Sequence, residues 1–311
     1  ASDDPAFNLA CEEFFLTHGD HGRETVFLLY ENRECTVSGK FQNIFGEINS
    51  AFTETRGIPA YRRETGGGTV VHGKGNLNFS FIGKSVGPFE ESYGYSSSLV
   101  IGALSSLGVK AYKDQTTDIF TDTPDGRRKI SGNAQCVKNG AFLCHGTLLY
   151  DADIGRLEKI LKKGPGAYAS KAVRSNPAKT ANVRPLVPSS PDTRAFSELF
   201  KAAVCKSGNG RTLTEEEKSA ARDLARRKYS SNEWTYGRSP KFSFSSASEG
   251  GYVEINAERG IITDVRASED LEFLVGTPFG YKSIKENIAS RSPDGKRLAE
   301  FFSKLIFGGE N

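Results

Sequence analysis

The most constraining stretch of this chain reads Arg62-Arg63-Glu64-Thr65-Gly66-Gly67-Gly68-Thr69-Val70-Val71-His72 and leads into Asn76–Ile82. In that second part Leu77, Phe79 and Phe81 alternate strictly with Asn76, Asn78 and Ser80. A period of two is that of a β-strand with one apolar and one polar face. A glycine run that opens a strand excludes the phosphate-binding loops that open a helix. Gly68-x-x-x-x-Gly73-Lys74 fits most of a P-loop, but Gly75 stands where a magnesium-binding Ser or Thr is needed. A dinucleotide fingerprint fails for the same topological reason. The three glycines still expose backbone N–H groups, and the two arginines before them add planar donors for carboxylate or phosphate. The two readings are an anion cradle and a flexible loop with solvated arginines.

A second segment, Lys129-Ile130-Ser131-Gly132-Asn133-Ala134-Gln135, precedes the hairpin signal Asn139-Gly140. With residues 138 and 141 paired, Gln135 faces Cys144, Ala134 faces His145, Gly132 faces Thr147 and Lys129 faces Tyr150. Lys129, Ser131, Asn133 and Gln135 then share a face with Cys144. Ile130, Gly132 and Ala134 share the other with His145 and Thr147. Small residues on that second face leave room for a ligand or another backbone. The plainer reading is a sheet buried on both sides, with Lys129 as an edge charge. In the third segment, Cys144-His145-Gly146-Thr147-Leu148-Leu149, Cys beside His suggests a nucleophilic dyad. The pleat argues against it, since strand neighbours point to opposite faces. A bulge at Gly146 would undo that argument.

Around these segments the chain reads as mixed helix and strand. Asp4-Pro5 opens a helix with Phe7, Ala10, Cys11, Phe14 and Phe15 on its apolar stripe. Strands are expected at 25–30 and 35–38, helices at 47–56 and 90–107, and a β-meander over 109–150 with a second turn at Asp125-Gly126. After a helix at 154–162, residues 164–191 are rich in Gly, Pro, Ser and Ala without apolar periodicity, as in a functional or mobile loop. Two helices follow, the second opened by the capping box Thr214-x-x-Glu217. Its basic residues Arg222, Arg226, Arg227 and Lys228 suggest a solvated face. Past a polar connector holding Trp234, strands and then helices over 239–311 form a small α+β unit. The domain division is therefore 1–238 and 239–311.

Composition narrows the function. A net charge of +3 is a weak footprint for nucleic acid. No apolar run approaches the roughly 20 residues of a membrane helix. The N-terminal residues are acidic and polar, so no signal peptide is expected. Five scattered cysteines, without C-x-x-C or a His at ligand spacing, suggest free thiols in a reducing compartment rather than a zinc site. His18 and His21, in a Gly-containing turn, are expected on the surface. The expectation is a cytoplasmic monomer, or an organelle-matrix protein if a targeting peptide has been removed.

Together the three segments resemble the lipoate–protein ligase A family. Its marks are an Arg-rich Gly-Gly-Gly loop with His and Gly-Asn, a Lys-x-Ser-Gly-x-Ala stretch, and a His-Gly-Thr-Leu-Leu strand. Here they stand as Arg62–Gly68 with His72 and Gly75-Asn76, as Lys129–Ala134, and as His145–Leu149. Phe7-Asn8-Leu9-Ala10 with Glu12-Glu13, Gly39 to Gln42-Asn43, and Glu233-Trp234-Thr235-Tyr236-Gly237 are similar too, so the resemblance covers nearly the whole chain. It implies an α/β (α+β) fold like the catalytic domain of biotin ligases and class II tRNA synthetases, with a small C-terminal α+β accessory domain. It implies ATP-dependent activation of lipoate to lipoyl-AMP and transfer of the lipoyl group to a lysine. The acceptors would be lipoyl domains of 2-oxoacid dehydrogenase E2 subunits or the glycine-cleavage H protein.

On this resemblance Lys129 would lie against the adenylate phosphate and acyl carbonyl. Arg63, with Arg62, would hold phosphate or carboxylate. Thr65, Gly66, Gly67, Gly68, His72, Asn76, Ser131, Gly132, Ala134, His145 and Thr147 would line the ATP and lipoate site. Asp118 would bind Mg2+, and residues 164–191 would cover the adenylate. Cys144 departs from the family pattern, where His is frequent. It keeps open an acyltransferase that moves octanoyl from a carrier thioester through a cysteine. A third class, a non-catalytic partner that only binds lipoyl domains or a small acid, is disfavoured by the retained Lys129 and arginines.

Overall fold

A computed structural model describes residues 2–20, 25–85, 87, 89–115, 117–206, 210–291 and 294–308. The first helix, α1 (Pro5–His18), is capped by Asp4, whose carboxylate accepts the Ala6 N–H. His18 is exposed in its last turn, while His21 lies outside the described residues. The next elements are β1 (Val26–Tyr30), β2 (Cys35–Ser38), α2 (Ser50–Thr55), β3 (Ala60–Arg62), β4 (Val70–His72) and β5 (Asn76–Lys84). After α3 (Phe89–Ser106), Gly108 adopts φ +85°, the left-handed conformation that ends a helix.

Residues 109–150 do not form one meander. Strand β7 (Ile119–Thr123) pairs with β6 (Tyr112–Lys113) on one side and β8 (Gly126–Ser131) on the other in a three-stranded sheet. Then β9 (Asn133–Lys138) and β10 (Ala141–Leu149) join the central antiparallel sheet, in the order β1-β5-β10-β9. Asn139 and Gly140 both take positive φ, as a two-residue hairpin turn requires. The pairings Gln135–Cys144 and Ala134–His145 fall where counting from that turn places them.

The alternation in β5 decides what each face of the central sheet does. Leu77, Phe79 and Phe81 face a core built with Phe142, Cys144 and Leu148 of β10. It is closed by α3 and by α5 (Thr193–Cys205), after α4 (Ile154–Leu161) and β11 (Ala167–Ser170). Asn78 and Ser80 face the other way, opposite Thr147 and His145 of β10. That polar face is covered by α1 and by a small sheet in which β2 pairs with β3 and β4.

The strand β11 corrects the expectation for 164–191. It is the edge of a four-stranded sheet with β12 (Phe242–Ser248), β13 (Gly251–Glu258) and β14 (Ile261–Ala267). Helices α6 (Glu215–Leu224) and α7 (Asn232–Thr235) precede that sheet, and α8 (Tyr281–Arg291) and α9 (Gly295–Phe307) follow it. Its core, with Phe242, Phe244, Phe279 and Phe302, also takes in Ile44, Phe45 and Ile48, so the C-terminal unit borrows apolar surface from the first half. No helix among the described residues is long and apolar enough to cross a membrane.

Candidate functional site

A cavity of 260 Å³ opens between the polar face of the central sheet, the glycine run and residues 173–176. Its inner part is lined by Leu9, Tyr30, Val37, Val70, His72 and Asn78. Its outer part is lined by Lys129, Asp118, Thr117, Asn133, Arg174 and Asn176. The inner part thus sets three aliphatic side chains among polar ones, and the outer part carries the charges of Lys129, Asp118 and Arg174. A larger open groove of 2080 Å³ runs along α1, α5 and α6; Lys74 and Leu77 border it, but none of residues 62–72, 129–135 or 144–149 does.

Lys129 reaches this cavity by a route that strand counting missed. Pairing between β9 and β10 stops at Asn133–Gly146. Residue 129 pairs instead with Phe120, and its peptide groups bond Lys179 O and Ala181 N. The strand breaks at Gly132, so Lys129 joins Gly132, Ala134, His145 and Thr147 at the cavity, not Cys144. A Cβ at Gly132 would meet Lys129 Cε and Nζ at 3.1 Å, so the missing side chain is the seat of the lysine. Lys129 Nζ pairs with Asp118 Oδ2 at 2.9 Å. The Gly132 N–H donates to Thr147 Oγ1 at 3.2 Å. Ser131 is fully buried and does not line the cavity.

The two arginines are not a free anion clamp. Arg62 is wholly buried and outside the cavity lining. Its Nε donates to Trp234 and Thr235 carbonyls, Nη1 to those of Gly39, Lys40 and Gln42, and Nη2 to Ser239 Oγ. It ties the segment before β12 to the loop after β2. Arg63 lines the cavity, but its Nε donates to Thr65 Oγ1 at 2.9 Å, Nη1 to Val37 O, and Nη2 to Gly66 O and Gly68 O at 2.6 and 2.7 Å. Burial lowers both guanidinium groups to about 10, still far above neutrality. The expected contact of Arg62 with substrate is thus overturned, because a buried guanidinium must satisfy its donors within the protein.

The glycines serve close packing. A Cβ on Gly67, at φ +83°, would meet Arg63 Nη2 at 3.0 Å, and one on Gly68 would meet Ser175 Oγ at 2.9 Å. Ser175 Oγ accepts the Thr69 N–H and a donor from Gln42 Nε2, which fastens residues 173–176 over the loop.

Histidines and the first helix form the cavity floor. His72 Nδ1 accepts from Asn32 Nδ2 at 2.8 Å, and burial lowers the ring to about 3, so it is neutral. His145 lines the cavity, yet Nδ1 bonds Glu12 Oε2 at 2.8 Å and Nε2 meets Thr65 Oγ1 at 2.7 Å. Glu12 also accepts from Tyr30 Oη at 2.7 Å and from Ser80 Oγ. Burial opposes its charge, but His145 and these hydrogen bonds outweigh it and hold the carboxyl below the usual range. Sequence reasoning gave Glu12 no role. The available signal was a carboxylate three residues after buried Leu9 and four before buried Leu16, inside a helical apolar stripe. Asn76 lies in a separate pocket and donates to Asn78 Oδ1. Thr65 and Gly66 sit behind the lining, holding His145 and Arg63.

Cys144 lies on the far face among Phe81, Phe142 and Leu148, where burial pushes its thiol up to about 12. A nucleophile facing the cavity is excluded for it by the pleat. Lys228, expected on a solvated face, instead bonds Glu13 and Glu64 at 2.7 and 2.6 Å under the Trp234 ring.

Fold and cavity together define an α+β protein with a pocket that joins aliphatic and buried polar side chains to a charged mouth. The profile of the lipoyl protein ligase A/B catalytic domain matches residues 4–205. The chain is 32% identical over 321 residues to lipoate-protein ligase LplJ of Bacillus subtilis (strain 168), covering 97% of this chain and 94% of that protein. It is 34% identical to lipoate–protein ligase 1 of Staphylococcus aureus (strain Mu50), covering 88% and 83%. Similar solved structures include a bipartite lipoate protein ligase studied with its E2 lipoyl domain from Thermoplasma acidophilum, at TM-score 0.63, 26% identity and coverage of 74% and 91%. A T. acidophilum protein with bound lipoic acid reaches TM-score 0.63 at 25% identity, covering 76% and 96%. A lipoate-protein ligase A bound with ATP reaches 0.63 at 26%, covering 75% and 94%. The chain belongs to the lipoyl protein ligase A/B family.

Proposed function

We propose that this protein is an ATP-dependent lipoate–protein ligase. Lipoate carboxylate attacks the α-phosphate of ATP, pyrophosphate leaves, and a lysine amine of the acceptor then takes the acyl group as AMP departs. The observation that carries this reading is the cavity itself, which puts the aliphatic side chains of Leu9, Val37 and Val70, suited to an acyl chain, in one pocket with Lys129 beside Asp118. Joining a carboxylate to a phosphate brings two anions together, and a fixed ammonium offsets the charge that develops. Residues 173–176, fastened by Ser175, exclude the water that would hydrolyse a mixed anhydride. The relatives' names and the ATP-bound and lipoic acid-bound neighbours support the same substrates.

A magnesium ion fits one position. Among the described residues no group of three His, Cys, Asp or Glu converges, so the ion would rest on Asp118 and on substrate phosphates, an arrangement this ion favours. Bound there it would neutralise phosphate charge. The acceptors are lipoyl domains of E2 subunits and the H protein, and residues 1–238 act as the catalytic unit with 239–311 as its accessory.

The test is lipoate-dependent pyrophosphate release from ATP, with and without an apo lipoyl domain. Release with a lipoyl-sized mass gain on the domain is expected. Acyl transfer from an octanoyl carrier without ATP, abolished by cysteine alkylation, would replace this reading with the thioester mechanism.

A further inference from the structure

We propose that Glu12 is a positioning residue for the activation step, acting through His145, Thr65 and Arg63 on the glycine loop. The inference rests on the ligase reading above. Glu12 does not line the cavity and is 2% exposed, so it acts only through its neighbours. The route is an unbroken line of buried contacts: Glu12 Oε2 to His145 Nδ1 at 2.8 Å, His145 Nε2 to Thr65 Oγ1 at 2.7 Å, and Arg63 Nε to Thr65 Oγ1 at 2.9 Å. A carboxylate can only accept, so it fixes a proton on Nδ1 and sets which way Nε2 addresses Thr65.

The far end of the line is the loop. Arg63 Nη2 holds the carbonyls of Gly66 and Gly68. In a planar trans peptide the next N–H points opposite to the carbonyl. Holding those two oxygens therefore turns the N–H groups of Gly67 and Thr69 away from Arg63. The Thr69 N–H is then met by Ser175 Oγ of the covering segment. Gly67 lines the cavity, and its N–H is the donor whose direction Glu12 would set. An amide at position 12 would present an N–H2 to one of the three groups that now donate to it, Tyr30, Ser80 and His145. A carboxylate also balances the buried Arg63 charge three contacts away.

The experiment compares Glu12→Gln, Glu12→Asp, Thr65→Val and the Glu12→Gln/Thr65→Val double variant with the wild type in lipoate-dependent pyrophosphate release. Glu12→Gln and Thr65→Val should each lower kcat about tenfold or more, with KM for lipoate within about threefold, because positioning acts on the rate. The double variant should be no worse than the weaker single, since both cut one line. Glu12→Asp, which keeps the acceptor, should recover part of the rate. Wild-type kcat in a folded Glu12→Gln or in Thr65→Val, or additive losses, would overturn the proposal. Should Glu12→Gln fail to fold, Thr65→Val decides. A readout free of turnover is ¹⁵N NMR of the histidine rings, only four in this chain, and of Arg63 Nε–H. Thr65→Val should move the His145 ring signals, and Glu12→Gln the Arg63 signal; an unmoved Arg63 signal overturns the relay. If the wild type itself releases no pyrophosphate, the ligase reading fails while this readout still decides the relay.

Discussion

The two polar networks that line the cavity are built in opposite ways. On the floor, Glu12, His145, Thr65 and Arg63 are buried and partnered almost donor for donor. At the mouth, Lys129 Nζ pairs with one carboxylate, Asp118, and its side chain is 20% exposed. A saturated buried network is rigid, because leaving any member unpaired costs its desolvation. An ammonium with one exchangeable partner among the described residues can give it up to an incoming phosphate. Each network holds one fixed cation, Arg63 as scaffold on the floor and Lys129 for chemistry at the mouth.

The comparison is broken most directly at the mouth. Lys129→Ala should reduce lipoate-dependent pyrophosphate release by about a thousandfold, the upper range for removing one electrostatic stabiliser. The circular dichroism and melting temperature of that variant should match the wild type. Arg62→Ala should do the reverse. It strips donors from five carbonyls, three of these contacts fully buried, and from Ser239, so urea unfolding should show a loss of about 3 kcal/mol or more, with any folded fraction still active. Between them stands Gly132→Ala, whose added methyl crowds only the flexible end of Lys129. About a tenfold loss of kcat with near-native stability is expected.

Smaller effects sharpen the contrast. His72 is held neutral at about 3 instead of 6.5, so its contribution to stability is complete above about pH 6.5. It falls as the pH drops toward 3, because the unfolded chain gains a proton that the fold refuses. His72→Asn should flatten that part of the stability profile in denaturant titrations at stepped pH. Cys144→Ser should leave turnover within about twofold while costing about 1 to 3 kcal/mol for a buried hydroxyl. A folded but inactive Cys144→Ser enzyme would reopen the thioester route.

The fold was largely legible. Asp4-Pro5, the alternation of Asn76–Ile82, Asn139-Gly140 and Thr214-x-x-Glu217 are local signals with local causes, and each stands where expected. The strand Ala167–Ser170 was not, because its apolar partner Phe244 lies far along the chain. In the site, Lys129, Gly67, Gly68, His72, Gly132, Ala134, His145 and Thr147 do come together. The error at Lys129 came from extending strand period through Gly132, where the backbone leaves one sheet for another.

The sequence by itself determined which residue types recur at which spacing, and hence the strands, the hairpins, the family and its substrates' class. It could not determine the direction of a long polar side chain. Arg62 and Arg63 are identical neighbours in a motif, yet one anchors the segment before the C-terminal sheet and the other braces the glycine loop. Only the tertiary structure decided this, because a guanidinium points to whichever unpaired carbonyls the rest of the chain brings within reach, and those lie up to 173 residues away.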